Sequence, residues 1–193
     1  KELRMLNAQH ASEAIEQEVI NVLRVGTSAY YANNKATRNL VDANDTVDVD
    51  DFLAVVTALR NNDAKPIRGN FRAMISANVL QQLLQDSTYR EVVSRSSRDY
   101  YFTATIAEYL GIGYQFSSMA PTISDSGSNN AVSTLEQSIV VGNNSYGITK
   151  WMLKDYDVVY TSPGGHGDEW ATKHALTWKF NFKSVILNND WMY

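Results

Sequence analysis

The strongest restriction on the fold is an eight-residue alternation near the C-terminal end of the sequence. Its apolar positions are Leu176, Trp178, Phe180 and Phe182, and polar residues stand between them. Successive side chains of a strand point to opposite faces, so the pattern predicts a strand over 176–183 with one apolar and one wet face. The apolar run that follows, 185–187, predicts a strand covered on both faces.

The first 25 residues have a helical period instead. Ile15, Val19, Val22 and Leu23 recur at i, i+4, i+7 and i+8, which is the spacing of one helix face. A helix over this whole stretch would be about 37 Å long. Gly26 is its predicted end, and residues 29–32 are predicted to form a short strand.

The segment 45–62 gives the clearest helix prediction. Thr46 is the expected cap, aspartates stand near the positive end of the helix dipole, and Pro66 prevents continuation beyond Arg60. The expected buried stripe consists of Val49, Phe52, Leu53, Val56 and Leu59.

The middle of the chain alternates between strand and helix patterns. A strand is predicted over 71–75, where apolar and polar residues alternate. The next helix has a predicted inward face formed by Val79, Leu80, Leu83 and Leu84. Thr88 and Glu91, three residues apart as in a capping box, predict the start of another helix.

The second half of the chain predicts strands and loops. Gly111 and Gly113 are expected to bracket a turn into a strand over 114–119. Residues 117–137 have the composition of a long loop, which is functional or mobile in a compact domain. Short strands are predicted over 138–141 and 158–160. The fold class is therefore α+β, with helices early and antiparallel strands mostly later.

Composition excludes several functional classes. The chain has 193 residues, 44% of them apolar, with 17 basic and 21 acidic side chains and no cysteine. Wholesale disorder, structural disulfides and thiolate metal sites are excluded. A formal charge of −4 argues against a dedicated nucleic-acid binder. No apolar run approaches the length of a bilayer span, so we expect no membrane partner.

One alternative function is a small metal-dependent hydrolase. The stretch SPGGHGDEW places His166 among glycines, with Asp168 and Glu169 just behind it. Imidazole and carboxylates suit transition metals, but the spacing matches no ligand motif, and a solvated turn explains the glycines. We therefore assign no catalytic, cofactor-binding or metal-binding residue and predict that the chain is not an enzyme and uses no cofactor.

Two further features have alternative interpretations. The acidic cluster Asp45, Asp48, Asp50 and Asp51 suggests calcium but lacks the glycine and distal glutamate of an EF-hand. Carboxylates at a helix N-terminus explain it.

A third function class is a binding module that grips a ligand with the loop 117–137.

Four segments in order carry a family resemblance. They are VLRVGTSAYYAN (22–33), the run TRNLVDANDTVDVDDFLAVVTALRNNDAKPIRGNFRAMISANVLQQLLQD (37–86), YLGIGYQF (109–116) and ALTWKFNFKSVILN (175–188). Together they resemble the major capsid proteins of tailed phages, in particular the N-four-like major capsid family with the Hong Kong 97-type fold. The resemblance extends over roughly residues 8–190.

The resemblance implies a division of the chain. Residues 1–76 would hold the spine helix and part of the peripheral domain, 77–172 mainly the axial domain, and 173–193 a strand returning to the peripheral domain. The spine helix would cover 12–25 and the closing strand 176–187. The family's N-terminal arm and extended loop, which clasp neighbouring subunits, are expected to be absent from this chain.

The resemblance also implies a structural role. Many copies would form pentamers and hexamers of an icosahedral virion head that encloses double-stranded DNA without binding it specifically. Assembly would take place in the host cytoplasm, and portal, scaffolding and decoration proteins are the implied partners. An encapsulin-like nanocompartment shell, which encloses cargo protein, is the alternative with the same fold.

Overall fold

The computed structural model describes residues 2–42, 44–96, 108–124, 134–150, 157–164, 170–172 and 175–193. The helices are α1 (Glu2–Leu23), α2 (Val49–Asn61), α3 (Ala77–Gln85) and α4 (Ser87–Ser96). Short 3-10 helices cover Ala32–Asn34, Arg38–Leu40 and Asn189–Trp191. None of the described helices combines the length and apolar character needed to cross a bilayer.

The strands form one four-stranded sheet and three two-stranded ribbons. They are β1 (Phe71–Ile75), β2 (Glu108–Tyr109), β3 (Ile112–Phe116), β4 (Thr122–Ile123), β5 (Leu135–Glu136), β6 (Ile139–Val141), β7 (Tyr146–Lys150), β8 (Asp157–Thr161), β9 (Ala175–Lys179) and β10 (Phe182–Ile186). The sheet has the order β2-β3-β1-β6, and the ribbons pair β4 with β5, β7 with β10 and β8 with β9.

Strand β1 lies inside the four-stranded sheet. It pairs in parallel with β3 and antiparallel with β6, so that Ala73 stands opposite both Tyr114 and Val140. Its burial alternates as the sequence predicted, with Phe71, Ala73 and Ile75 each 1% exposed. Side chains of one strand face therefore belong to the core.

Helix α2 covers the same core but starts differently from its prediction. Its cap is Asp48, which exchanges hydrogen bonds with Asp51 in a capping box, so the assignment of Thr46 as the cap was wrong. The buried face contains Val55, and Leu53 is 45% exposed. The predicted stripe was therefore correct except at Leu53. The neighbours of Phe52 at i+3 and i+4 are Val55 and Val56, so Val55 lies on the buried face in place of Leu53.

The sheet side of the core is closed by α3 and by aromatic contacts. Val79 and Leu83 of α3 are buried, and the predicted inward residues Leu80 and Leu84 pack partly against them. Phe52 meets Tyr114 edge to face, with ring centroids 5.3 Å apart. Such pairs add specificity to the burial of apolar area.

The last residues extend the sheet beyond β6. Val140 and Tyr193 exchange backbone hydrogen bonds of 2.6 and 2.9 Å, and the Gly142 N–H donates to the Trp191 carbonyl at 2.9 Å. A Cβ atom at Gly142 would stand 3.2 Å from that carbonyl oxygen. The close approach of two backbones therefore favours glycine at this position.

Helix α1 packs through its C-terminal half. Ile20 and Leu23 are buried in a second cluster with Ile139 and Met192, while the predicted face residues Ile15, Val19 and Val22 are only half-buried. The buried face is therefore rotated from the predicted one. The helix ends at Leu23, three residues before the expected stop at Gly26.

The long strand predicted near the C-terminal end is divided. Strand β9 pairs with β8 and β10 pairs with β7, and the chain changes partners at Phe180 and Asn181. The period of two continues across both strands, which is why the sequence suggested one. The prediction of a fully covered strand over 185–187 was wrong, since Val185 is 44% and Leu187 is 61% exposed.

Three local predictions also change. No strand covers 29–32, where Tyr31 forms only an isolated bridge to Lys35. Strand β3 starts at Ile112, two residues before its predicted start, because Leu110 and Gly111 form the preceding turn with φ of 55° and 77°. The predicted loop 117–137 contains the β4–β5 pair, and residues 125–133 lie outside the described chain.

The sheet crosses the predicted boundary between residues 76 and 77. Strand β1 precedes this boundary, and its partners β3 and β6 follow it. The division into peripheral and axial domains stays a prediction.

We predict that Leu59→Ala lowers the free energy of unfolding by about 2–5 kcal/mol, because Leu59 is 0% exposed and its removal leaves a cavity. Leu53→Ala, on the same helix, should cost less than about 1 kcal/mol. Chemical denaturation measures both. Equal losses in the two variants would mean that the buried face of α2 is assigned incorrectly.

Candidate functional site

The candidate hydrolase site falls outside the described residues. This applies to His166, Asp168 and Glu169, and also to His174. His10 is described and lies exposed on α1. Within the described ranges, no group of three or more histidine, aspartate or glutamate side chains is arranged to hold a metal ion. The hydrolase alternative therefore rests on sequence alone.

Three residues of the acidic cluster lie at the N-terminal end of α2. Asp48 and Asp51 form the capping box, and Asp50 lies in the first turn. Carboxylates here satisfy free N–H groups and interact favourably with the helix dipole. Asp45 belongs to the preceding loop, where it accepts the Asp42 N–H at 2.8 Å and pairs with Lys35 at 3.4 Å. The explanation by helix N-terminal acids is confirmed for the three residues at the helix start.

Asp51 connects the loop between α1 and α2 to the helix. Its carboxylate accepts the N–H groups of Asn33 at 3.1 Å and Asp48 at 3.3 Å. Burial raises the pKa of Asp51 to about 6, the negative charges of Asp48 and Asp50 add to the rise, and the two N–H groups oppose it. The sequence did not indicate this buried carboxylate, because Asp51 reads as an ordinary first-turn acid.

Asp86 joins three helices. It accepts the Val49 N–H at 3.0 Å and the Thr88 N–H at 2.7 Å, as well as the N–H of Tyr89. Burial opposes its ionisation, but these N–H groups outweigh burial and lower the pKa of Asp86. The capping box predicted at Thr88 and Glu91 is therefore wrong, since Asp86 binds the first N–H groups of α4.

Glu136 anchors the β4–β5 pair to α3. Its carboxylate accepts hydrogen bonds from the Ser76 hydroxyl and the Asn78 amide. Ser76 is also the cap of α3, where it accepts the Val79 N–H at 3.3 Å. The hairpin is thus held at the N-terminal end of the helix.

The ribbons expose apolar side chains. Val158 and Tyr160 of β8 are 47% and 60% exposed, and they stand opposite Trp178 and Leu176 of β9. We call these four residues the β8–β9 face. On the β7–β10 ribbon, Val185 is also exposed. A two-stranded ribbon is marginally stable alone, and contiguous exposed apolar surface marks an interaction site. The β8–β9 face is therefore the best candidate for a functional surface.

We predict that Asp51→Asn changes how stability depends on pH. The pKa of Asp51 is higher in the fold than its ordinary value of 3.8, so its contribution is greatest below about pH 4 and is lost as pH rises towards 6. The wild type should lose about 2 to 3 kcal/mol relative to Asp51→Asn over this range. Urea denaturation at successive pH values measures the difference.

Asp63→Asn provides the control, because Asp63 is exposed just after α2. It should follow the wild-type pH profile. Parallel profiles for the wild type and Asp51→Asn would show that Asp51 ionises as a solvent-exposed carboxyl does.

No protein-family model matches the chain, and no curated protein matches it. Solved phage structures do. The capsid structure of cyanophage P-SCSP1u matches with a TM-score of 0.68 at 14% identity, over 99% of this chain and 63% of that chain. A structure from Mycobacterium phage Che8 matches with a TM-score of 0.68 at 12% identity, over 98% and 60% of the two chains.

The asymmetric unit of the bacteriophage PhiM1 mature capsid matches with a TM-score of 0.54 at 15% identity, over 96% of this chain and 60% of that one. The chain thus spans about three fifths of the length of these structures. The fold prediction is confirmed, and the chain has the α+β, Hong Kong 97-type fold of phage capsid proteins.

Proposed function

We propose that this chain is the shell-forming part of a tailed-phage major capsid protein, within the N-four-like family. The observation that carries the proposal is the structural match over at least 96% of the chain to phage capsid structures. Many copies would form the pentamers and hexamers of an icosahedral head around double-stranded DNA. The protein would act in the virion by packing, without catalysis.

The exposed ribbons support this role physically. Closed rings use head-to-tail interfaces, so each copy needs two different complementary patches. The β8–β9 face provides one apolar patch on a two-stranded ribbon. Val158 and Tyr160 are about half exposed in a single copy, so their burial against a neighbour would stabilise the assembly by removing apolar area from water.

Charge supports enclosure rather than tight binding of DNA. A formal charge of −4 offers few cations to replace counterions on phosphate, so the wall would hold the genome non-specifically. Portal, scaffolding and decoration proteins belong to the same proposal as further partners. Assembly in the host cytoplasm would precede packaging.

We predict that Val158→Asp, introduced into the phage's own gene, reduces the yield of assembled particles at least tenfold. A carboxylate on the β8–β9 face would have to be buried without a partner when copies meet. Thr161→Asp is the matched control, because Thr161 lies on the opposite face of the same strand. Electron microscopy of purified lysates counts the particles.

Wild-type particles for Val158→Asp would contradict the role of this face. Particles that contain cargo protein in place of DNA would contradict the phage-head assignment.

A further inference from the structure

The β7–β10 ribbon has an inner and an outer face. On the inner face, Tyr146 and Ile186 pack partly against the second cluster, and Ser184 is 7% exposed. On the outer face, Val185 is 44% and Leu187 is 61% exposed. A single copy therefore buries only one side of this ribbon.

The outer face is apolar with a cation at one end. Gly147 stands opposite Val185 and adds no side chain there. A Cβ atom at Gly147 would stand 3.3 Å from the Leu187 Cδ1 atom, so the Leu187 side chain lies across the glycine. Lys183, two residues before Val185, points to the same side and is exposed. We call these four residues the β7–β10 outer face.

The proposed shell requires a complement to the β8–β9 face. Contact of that face with itself would give a two-fold pair, whereas a closed ring of five or six copies needs two different patches on each copy. Outside the two ribbons and the loop that joins β8 to β9, the exposed large apolar residues of the described chain are Met5, Leu6, Val25, Leu40, Leu53 and Phe116. None of these shares a strand face with another. The β7–β10 outer face is therefore the second exposed apolar sheet surface.

We propose that the β8–β9 face of one copy packs on the β7–β10 outer face of the next copy around a ring. This inference rests on the proposed shell function. The four strands have five residues each, so the two ribbons match in length. Sheets that pack face to face lie about 10 Å apart with interdigitating side chains.

The two faces also match in chemistry. Val158 and Tyr160 would lie on Val185 and Leu187, which removes apolar area of both copies from water. The ammonium group of Lys183 would meet the face of the Tyr160 ring, where a cation is attracted. Every copy carries both faces, so a closed ring would leave neither of them uncovered.

The test uses thiol crosslinking in assembled particles, because the chain has no cysteine. Host cells supply Val158→Cys from a plasmid, and the infecting phage carries Val185→Cys in its own gene. A bismaleimide that bridges about 10 Å then joins the two positions where the faces meet. We expect crosslinked dimers in the mixed particles at least tenfold above their level in particles of either variant alone. Wild-type particles treated with the same reagent give the background.

A second measurement compares two aspartate variants of similarly exposed valines. Val185 lies on the β7–β10 outer face, whereas Val159, 48% exposed, lies on the side of β8 opposite to the β8–β9 face. A carboxylate buried at the contact without a partner destabilises it. Val185→Asp should therefore reduce the yield of particles at least tenfold, and Val159→Asp less than twofold.

The outcomes separate the contact from the shell function. Particles that contain this chain but give no excess of mixed dimers would overturn the contact alone. Dimers in particles of Val158→Cys alone, which would show the β8–β9 face paired with itself, and equal particle yields from the two aspartate variants would also overturn it. Particles whose wall lacks this chain would overturn the proposed function and the contact together.

Discussion

Strand β1 is hydrogen-bonded on both sides, to β3 and β6, and its three buried side chains pack against α2 and α3. Strand β6 lies beside β1 and carries the C-terminal residues through the backbone bonds between Val140 and Tyr193. The second cluster follows, because Ile139 of β6 and Met192 of the same tail bury Ile20 of α1. Helix α1 and the C-terminal residues therefore both pack beside β6, the neighbour of β1.

Among the described residues, the β8–β9 ribbon contributes none to either apolar cluster, whereas Tyr146 of β7 and Ile186 of β10 pack partly against the second cluster. The exposure of the β8–β9 ribbon gives the structure its functional interest. The inward side chains of β1 are buried in the core, whereas Val158 and Tyr160 are about half exposed on β8. A chain with a buried core and exposed apolar side chains on its β8–β9 ribbon is suited to contacts between copies.

Sequence periodicity predicted the elements whose burial is local. The stripe of α2 and the alternation of β1 were visible because each segment packs one face on the core. The change of strand partner at Phe180 was not visible, since the period of two continues through it. Caps formed by Asp48 and Asp86 were missed because nearby threonines offered an equally good local motif. The sequence did not predict the β8–β9 face either, because the exposure of Val158 depends on which strands lie beside β8.

Cryo-electron microscopy of purified particles that contain this chain tests the central claim most directly. The account predicts a closed icosahedral shell with rings of five and six copies. Each subunit density should contain α1 and the four-stranded sheet, and the β8–β9 face should be buried against a neighbouring copy. Particles whose wall is built from a different protein, or subunits without the parallel β1–β3 pair, would contradict it.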